Sequence, residues 1–390
     1  MRIRQLYFLG ILLFILIVTG CTKKPFNNPG SPDVVAWIKP IAFVNENIAV
    51  VNLTKKADDG YLACGYTYYT DKTISHGFVI NLNSDGDSIW CRKIDMTGYP
   101  NNVILYAAMY SNNGFIVAGL CSYASFKLQR FIAWLDPNGN ITKSILFPIA
   151  DNQVVNDCKL IPLEDGTIYY TVNMRSTTDQ SFDGYTLSVD LLDKDGQLLR
   201  SRSLTGIQTG LDRLNLVDNG KLLLVGSVAG QDPDYSDFLF LLIDGSGNEI
   251  YRRTFGSTTY DFGYSSCSDH KGGYIVSGMT SNLSKPVLYP VNASGIVENG
   301  KAVADTLFST ASIIKTSADN GYNLFIQTNQ RIYFMKLGSD LTVKHTYWMN
   351  YNFDPVLGYN LRDVIPLSDG SFSFLYYSGG PVIIKTIPLN

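Results

Sequence analysis

Three histidines, His76, His270 and His345, are all that the chain offers for acid–base work near neutral pH. They fall far apart, without H-x-H or H-E-x-x-H spacing, so the sequence points to neither a metal centre nor a His-based triad. Asp71, Asp179, Asp232, Asp234 and Asp261 read as loop acids, which are usually solvated. Glycoside hydrolysis needs only two carboxylates roughly 5–9 Å apart, yet spacing selects no pair among these. The stretches NSDGD (83–87), DPNGN (136–140), DKDG (193–196) and DGSGN (244–248) set oxygen atoms at alternate positions, as calcium loops do. Each ends within a few residues and enters an apolar run, with no downstream bidentate acid, so hairpin turns are expected. No catalytic residue, metal or cofactor is expected on these grounds.

What the chain has in quantity is aromatic residues, with 25 Tyr and 20 Phe against a charged fraction of 17%. Many lie in the longer connections, such as YTYYTDKTISH (66–76), MRSTTDQSFD (174–183), AGQDPDYSD (229–237), GSTTYDFG (256–263) and NYNFDPVLGYN (350–360). Rings beside amide and carboxylate groups suit stacking on a sugar or clasping a peptide. The candidate ligand-binding residues are Tyr68, Tyr69, Asp71, Tyr99, Tyr123, Asp179, Asp232, Tyr235, Tyr260, Asp261, Phe262, Tyr351, Phe353 and Tyr359.

A repeat must position them. DDGYLACG (58–65), NNGFIVAG (112–119), EDGTIYYTV (164–172), DNGKLLLVG (218–226), HKGGYIVSG (270–278), DNGYNLFIQ (319–327) and SDGSFSFLYY (368–377) are copies of one phrase spaced about 50 residues apart. Between them run hairpin-like phrases such as GFVINLNSDGDSIWCRKI (77–94) and DFLFLLIDGSGNEIYRRTF (237–255). Alternating aromatic and β-branched residues around Asp/Asn/Gly turns specify strands. Each unit then holds four antiparallel strands, a to d, with short a–b and c–d turns at one end and longer b–c and d–a connections at the other. The expectation is an all-β fold, a seven-bladed β-propeller of four-stranded blades. The last copy lacks a strand d, and DVVAWIKPI (33–41) resembles DSIWCRKI (87–94), so an N-terminal strand is expected to join the last blade and close the ring.

The N-terminus reads as an export signal: MRIRQ, then an apolar run from Leu6 to Val18 that is too short to span a bilayer as a helix. Val18-Thr19-Gly20-Cys21 resembles the lipobox of bacterial lipoproteins, which implies a lipid on Cys21, a signal peptide over 1–20 and an anchor in a membrane. TKKPFNNPGSPD (22–33) is rich in Pro, Asn and Gly and suits a tether over 21–32, ahead of a single propeller domain over 33–390. Cys64, Cys91, Cys121, Cys158 and Cys267 remain, each in an apolar segment without C-x-x-C spacing, which indicates buried free thiols.

Signal, lipobox and repeats together resemble a broad group of propeller lipoproteins of the Gram-negative envelope. That resemblance implies the cell envelope, at the outer membrane, as the location. NSDGDSIW (83–90) also resembles the Asp box of sialidase propellers, S-x-D-x-G-x-x-W, but its Ser, Asp and Gly stand too close together. The formal charge of −3 becomes about −5 without Arg2 and Arg4, and no basic stripe remains to follow a phosphate backbone, so nucleic acid is not an expected partner. The expected partners are the membrane, through Cys21, and a glycan or envelope protein. The functional expectation is a non-catalytic binding or scaffold module, with an envelope carbohydrate-active enzyme or an outer-membrane assembly factor as alternatives.

Overall fold

The structure is a computed structural model. It describes residues 35–43, 46–69, 72–110, 114–123, 128–179, 181, 184–207, 214–217, 220–229, 236–256, 260–280, 285–303, 309–317, 319–328, 331–350, 361–377 and 381–388. The regular elements among them are β-strands, hydrogen-bonded to their sequence neighbours in the order a-b-c-d. Five four-stranded sheets form over 153–205, 214–255, 261–302, 309–350, and 362–386 with 35–40.

The remaining eight strands, over 47–94 and 101–148, form one sheet. Seven separate four-stranded blades were expected, and this is the correction: the architecture is a β-propeller with five four-stranded blades and one eight-stranded sheet. The cause is local. Asn101 Oδ1 accepts the Ser75 N–H at 3.1 Å, and Ser75 and Asn101 form a parallel bridge between strand c of one unit and strand a of the next. The intervening d–a connection is held short by Asn102, whose amide accepts from Met96 N and donates to the Tyr99 carbonyl.

Strands a of several neighbouring units lie against one another, as 101–110 does with 153–162 and 261–268 with 309–316, and form the inner wall. Strands d are outermost, and Leu198–Thr205 is exposed at nearly every position. The core lies between sheets. Leu62, Val79, Ile104 and Phe131 pack together, as do Leu187, Leu204, Leu224 and Leu241. Ile41, Val50 and Leu53 join Ile365, Leu375 and Ile383, so the first and last sheets share a core as well. The strand Val35–Pro40 pairs antiparallel with Pro381–Thr386 and is the outer strand of that last sheet.

Glycine serves this architecture in two ways. In the a–b turns at Gly166, Gly220 and Gly370 the repeated glycine itself is left-handed, whereas in three others the left-handed backbone sits at Asp59, Gly272 and Asn320, one residue before the repeated Gly60, Gly273 and Gly321. Those glycines are needed for close approach, since a Cβ there would stand 2.3–2.5 Å from a strand-c carbonyl oxygen. In the c–d turns the glycine itself has positive φ, as at Gly139 (82°) and Gly295 (76°), and the outer strand of the preceding unit covers it. Trp37 lies on Gly86, Trp90 on Gly139, Trp134 and Ile145 on Gly196, and Tyr251 on Gly295. Hydrogen bonds fix the clasp: Trp90 Nε1 donates to Pro137 O, Arg92 Nε to Asn138 O, and Arg253 Nε to Gly295 O. Among the described residues no disulfide forms, and Cys64, Cys121 and Cys158 are buried while Cys91 and Cys267 are half-buried.

Candidate functional site

At the short-turn end, each turn consumes its own polar atoms. Asp136 Oδ1 accepts from the N–H groups of Asn138 and Asn140, and Asp244 Oδ1 from those of Ser246 and Asn248. Asn83 and Asp193 do the same two and four residues on. Hydrogen bonds from Asn140 hold the Asp136 carboxyl below the usual range. These oxygens stitch turns and converge on no common point. Among the described residues, no group of His, Cys, Asp and Glu is arranged to hold a metal ion.

The b–c and d–a end is different. Tyr68 is 41% exposed at the end of the strand Tyr61–Tyr69, with its ring 6.1 Å from that of Tyr66. On the same sheet Tyr99 and Tyr123 stack with ring centroids 4.3 Å apart. Tyr123 is exposed and Tyr99 is buried beneath it, donating its hydroxyl to Gln129 Oε1 at 3.0 Å. Tyr123 beside it, with burial second, pushes the Tyr99 phenol up to about 12. Between the two tyrosine pairs in sequence, His76 Nδ1 and Asp95 Oδ2 meet at 2.8 Å. On another blade, exposed Tyr260 lies parallel to half-buried Phe262, with centroids 6.2 Å apart. Side chains two apart on a strand share a face, and the alternation Tyr66/Tyr68 and Tyr260/Phe262 builds both pairs.

The remaining expected site residues divide sharply. Asp179 is exposed, but its Oδ1 accepts from the Ser181 N–H and hydroxyl, which lower its pKa and close a local turn. Asp261 is not a solvated loop acid: it is fully buried as the first residue of the strand Asp261–Ser268. Its carbonyl accepts from the hydroxyls of Ser227 and Ser236. The side chain of Tyr69, together with Cys21, Asp71, Asp232, Tyr235, Tyr351, Phe353 and Tyr359, lies outside the described residues.

Sequence reasoning missed Asp95, Gln129 and Asp237. Antiparallel register would have found Asp95: Gly77 pairs with Ile94, so His76 and Asp95 must be neighbours at the sheet's end. Asp237 and Asp261 each place a carboxylate oxygen 2.5 Å from where a Gly256 Cβ would sit. The two oxygens are therefore within about 5 Å of one another. Burial raises the Asp237 pKa.

A cavity of about 280 Å³ lies on the inner wall at the opposite, short-turn end, lined by Tyr106, Met109, Lys159, Pro162 and Leu216 among others. Lys159 Nζ is engaged there, donating to Leu214 O at 2.7 Å and lying over the Tyr106 ring.

No protein-family profile matches the chain, and no curated protein matches it. Among solved structures it is similar to BBS1N in its complex with ARL6DN, at 10% identity and a TM-score of 0.50, over 91% of this chain and 96% of that one. It is also similar to the AfRom2 CNH domain, at 9% identity and a TM-score of 0.50, over 90% and 99%. At that identity the likeness bears on the fold, and the fold is a β-propeller.

Proposed function

We propose that the chain is a non-catalytic binding module of the cell envelope, anchored by lipid on Cys21, whose long-loop end recognises a glycan. One observation carries the binding reading: among the described residues, the exposed aromatic side chains Tyr68, Tyr123 and Tyr260 all stand at that end. Tyr123 and Tyr260 are backed by a second ring, which holds each one for stacking. The hydrogen-bonding groups beside Tyr68 and Tyr123, His76, Asp95 and Gln129, suit sugar hydroxyls. That BBS1N is a propeller crystallised with a protein partner makes a peptide ligand the other outcome for a test to register. The anchor rests on the lipobox and the export signal in the sequence.

The test is binding of the mature chain to immobilised envelope polysaccharides and to a peptide library. Replacing Tyr68, Tyr123 or Tyr260 by Ala should weaken capture about fivefold each, near 1 kcal/mol per ring, with an unchanged circular dichroism spectrum. Parent-like binding by all three variants would remove the proposal. Metabolic labelling with a palmitate analogue tests the anchor separately, and Cys21→Ala should abolish incorporation.

The Asp237 and Asp261 pair favours a second reading, a glycoside hydrolase, because retaining enzymes hold two carboxyl groups about 5 Å apart. Against it, Asp261 is sealed from solvent and offers a sugar no approach. Release of reducing ends from an envelope polysaccharide by the parent, lost in Asp237→Asn, would establish this reading in place of the first.

A further inference from the structure

Most of the large aliphatic side chains exposed among the described residues gather at one end of the molecule, and their placement is regular; Ile74 and Leu146 lie elsewhere. Ile89, Ile141, Leu199, Ile250, Ile296 and Val343 are 39–58% exposed, and every one follows a c–d turn at the start or edge of an outer strand. Ile387 stands at the corresponding place in the last sheet, next to Thr386, which pairs with Val35. Antiparallel order puts every c–d turn at the same end, so these residues form a rim around it. The rest of the outer strands is largely polar, as Ser88, Thr142, Ser201 and Ser203 illustrate. An exposed aliphatic repeated at the same place in successive units makes a ring around this end, and such a ring marks a contact with something apolar.

Where the chain enters the fold selects the occupant. Val35 begins the outer strand Val35–Pro40, and Trp37 two residues on covers Gly86 of a c–d turn, so the N-terminal segment reaches the propeller at this rim. The 13 residues between Cys21 and Val35 can reach at most about 45 Å. A bilayer holding Cys21 is then within direct reach of the c–d end, whereas the far end would require the tether to run the height of the blades as well. Rim cations Lys39, Lys143, Arg200 and Arg252 stand among the aliphatics, beside acids of the same turns.

We infer that the short-turn end rests on a phospholipid bilayer, with rim aliphatics such as Ile89, Leu199 and Ile250 in the interfacial layer, and that the long-loop end faces away. The orientation rests on the reading of Cys21 as the anchor, while the apolar rim is independent of it. Both signs of charge border the rim, so contact is driven by apolar burial more than by anionic lipid and is weakly salt-dependent.

Two measurements test this, with vesicles of phosphatidylethanolamine and phosphatidylglycerol. In the first, the lipidated chain carries an environment-sensitive dye on Ile250→Cys or on Tyr260→Cys. Burial pushes the native Cys91 thiol up to about 11 and those of Cys121 and Cys267 to about 12, so the added surface thiol labels preferentially. Brominated lipids should quench the dye at 250 and leave that at 260 unchanged. An aqueous dye at 250 on vesicle-bound protein, or a quenched dye at 260, overturns the inference.

In the second, the unlipidated Cys21→Ala chain is floated with excess vesicles. It should associate weakly, and Ile89→Asp/Leu199→Asp/Ile250→Asp should lower the floated fraction at least tenfold with an unchanged melting profile. If Cys21 proves unacylated, the anchor falls while flotation still decides the rim. Flotation equal in parent and triple variant, or a concentration-dependent dimer that the triple variant loses in place of any flotation, overturns the rim contact.

Discussion

The two ends of this propeller are made by the same strands and expose different apolar residues. The short-turn rim repeats one aliphatic per unit, whereas the exposed aromatics Tyr68, Tyr123 and Tyr260 stand among the long connections, with the aliphatic Ile74 beside Tyr68. The difference follows from how much each end is constrained. Most c–d turns use an Asp or Asn to accept their own N–H groups, a glycine at positive φ, replaced by Leu341 in the turn 338–342, and a flat or long side chain from the previous unit that lies on that glycine. Little is left to vary except the residue that follows. At the other end, Ser75, Asn101 and Asn102 fix one connection by side-chain hydrogen bonds, and the units otherwise differ freely. A repeat can thus keep one end as scaffold and use the other for specificity.

The largest effect should come from deleting residues 35–40. These residues pair with Pro381–Thr386, and Trp37 and Lys39 clasp Gly86 and Asp87 of the next unit. Removal exposes a strand edge, takes Val35 and Ile38 out of the core and uncovers Val382, so stability should fall by about 4 kcal/mol or more in denaturant titration. An unchanged midpoint would mean that the ring does not depend on this strand.

Two glycines sharpen the contrast between the ends. Gly139 belongs to a clasped c–d turn at φ 82°, and a Cβ would meet the Trp90 ring at 2.9 Å. Gly98, in a d–a connection, has φ 88° with nothing within 4 Å of the same position. Gly98→Ala incurs backbone strain alone, about 1–2 kcal/mol. Gly139→Ala adds displacement of the Trp90 clasp and should cost about 3 kcal/mol. Equal melting temperatures for the two variants would show that the clasp contributes nothing.

Strand order, turn chemistry and the end that carries long connections are all legible in the sequence, because alternation and Asp/Asn/Gly turns are local signals. The sheet count was not legible. Whether neighbouring units share a ladder depends on one amide, Asn101, reaching one N–H, Ser75, and no periodicity records that. The reason for each repeated glycine was not legible either. Gly60 and Gly321 follow a left-handed Asp59 and Asn320 and are selected by a carbonyl on strand c, whereas Gly166, Gly220 and Gly370 carry the positive φ themselves, and the repeated phrase does not separate the two cases. Asp261 reads as a loop acid beside Tyr260, and only three-dimensional packing discloses that it is buried.

The smallest effect concerns acids, and its sign should differ between the ends. At the short-turn end, a hydrogen bond from Lys336 lowers Asp319 to about 2. A depressed carboxyl stabilises the fold above its unfolded value near 4 and loses that contribution as pH falls toward 2. Half the Asp319 side chain is exposed, so solvent screening limits Asp319→Asn to a loss of about 0.5 kcal/mol at pH 7, vanishing below pH 2. At the long-loop end, burial raises Asp237, and the linkage reverses. Its contribution is present below the unfolded value and is lost as pH rises through the folded one. At neutral pH the parent therefore carries the cost of an ionised, partly buried Asp237. Asp237→Asn should stabilise the protein by about 0.5 kcal/mol at pH 7 and leave it unchanged at pH 3. Chemical denaturation of both variants at the two pH values reads the signs directly. A loss at pH 7 in Asp237→Asn would mean that the carboxylate is held by favourable bonds in its charged form, and that the two ends treat their acids alike.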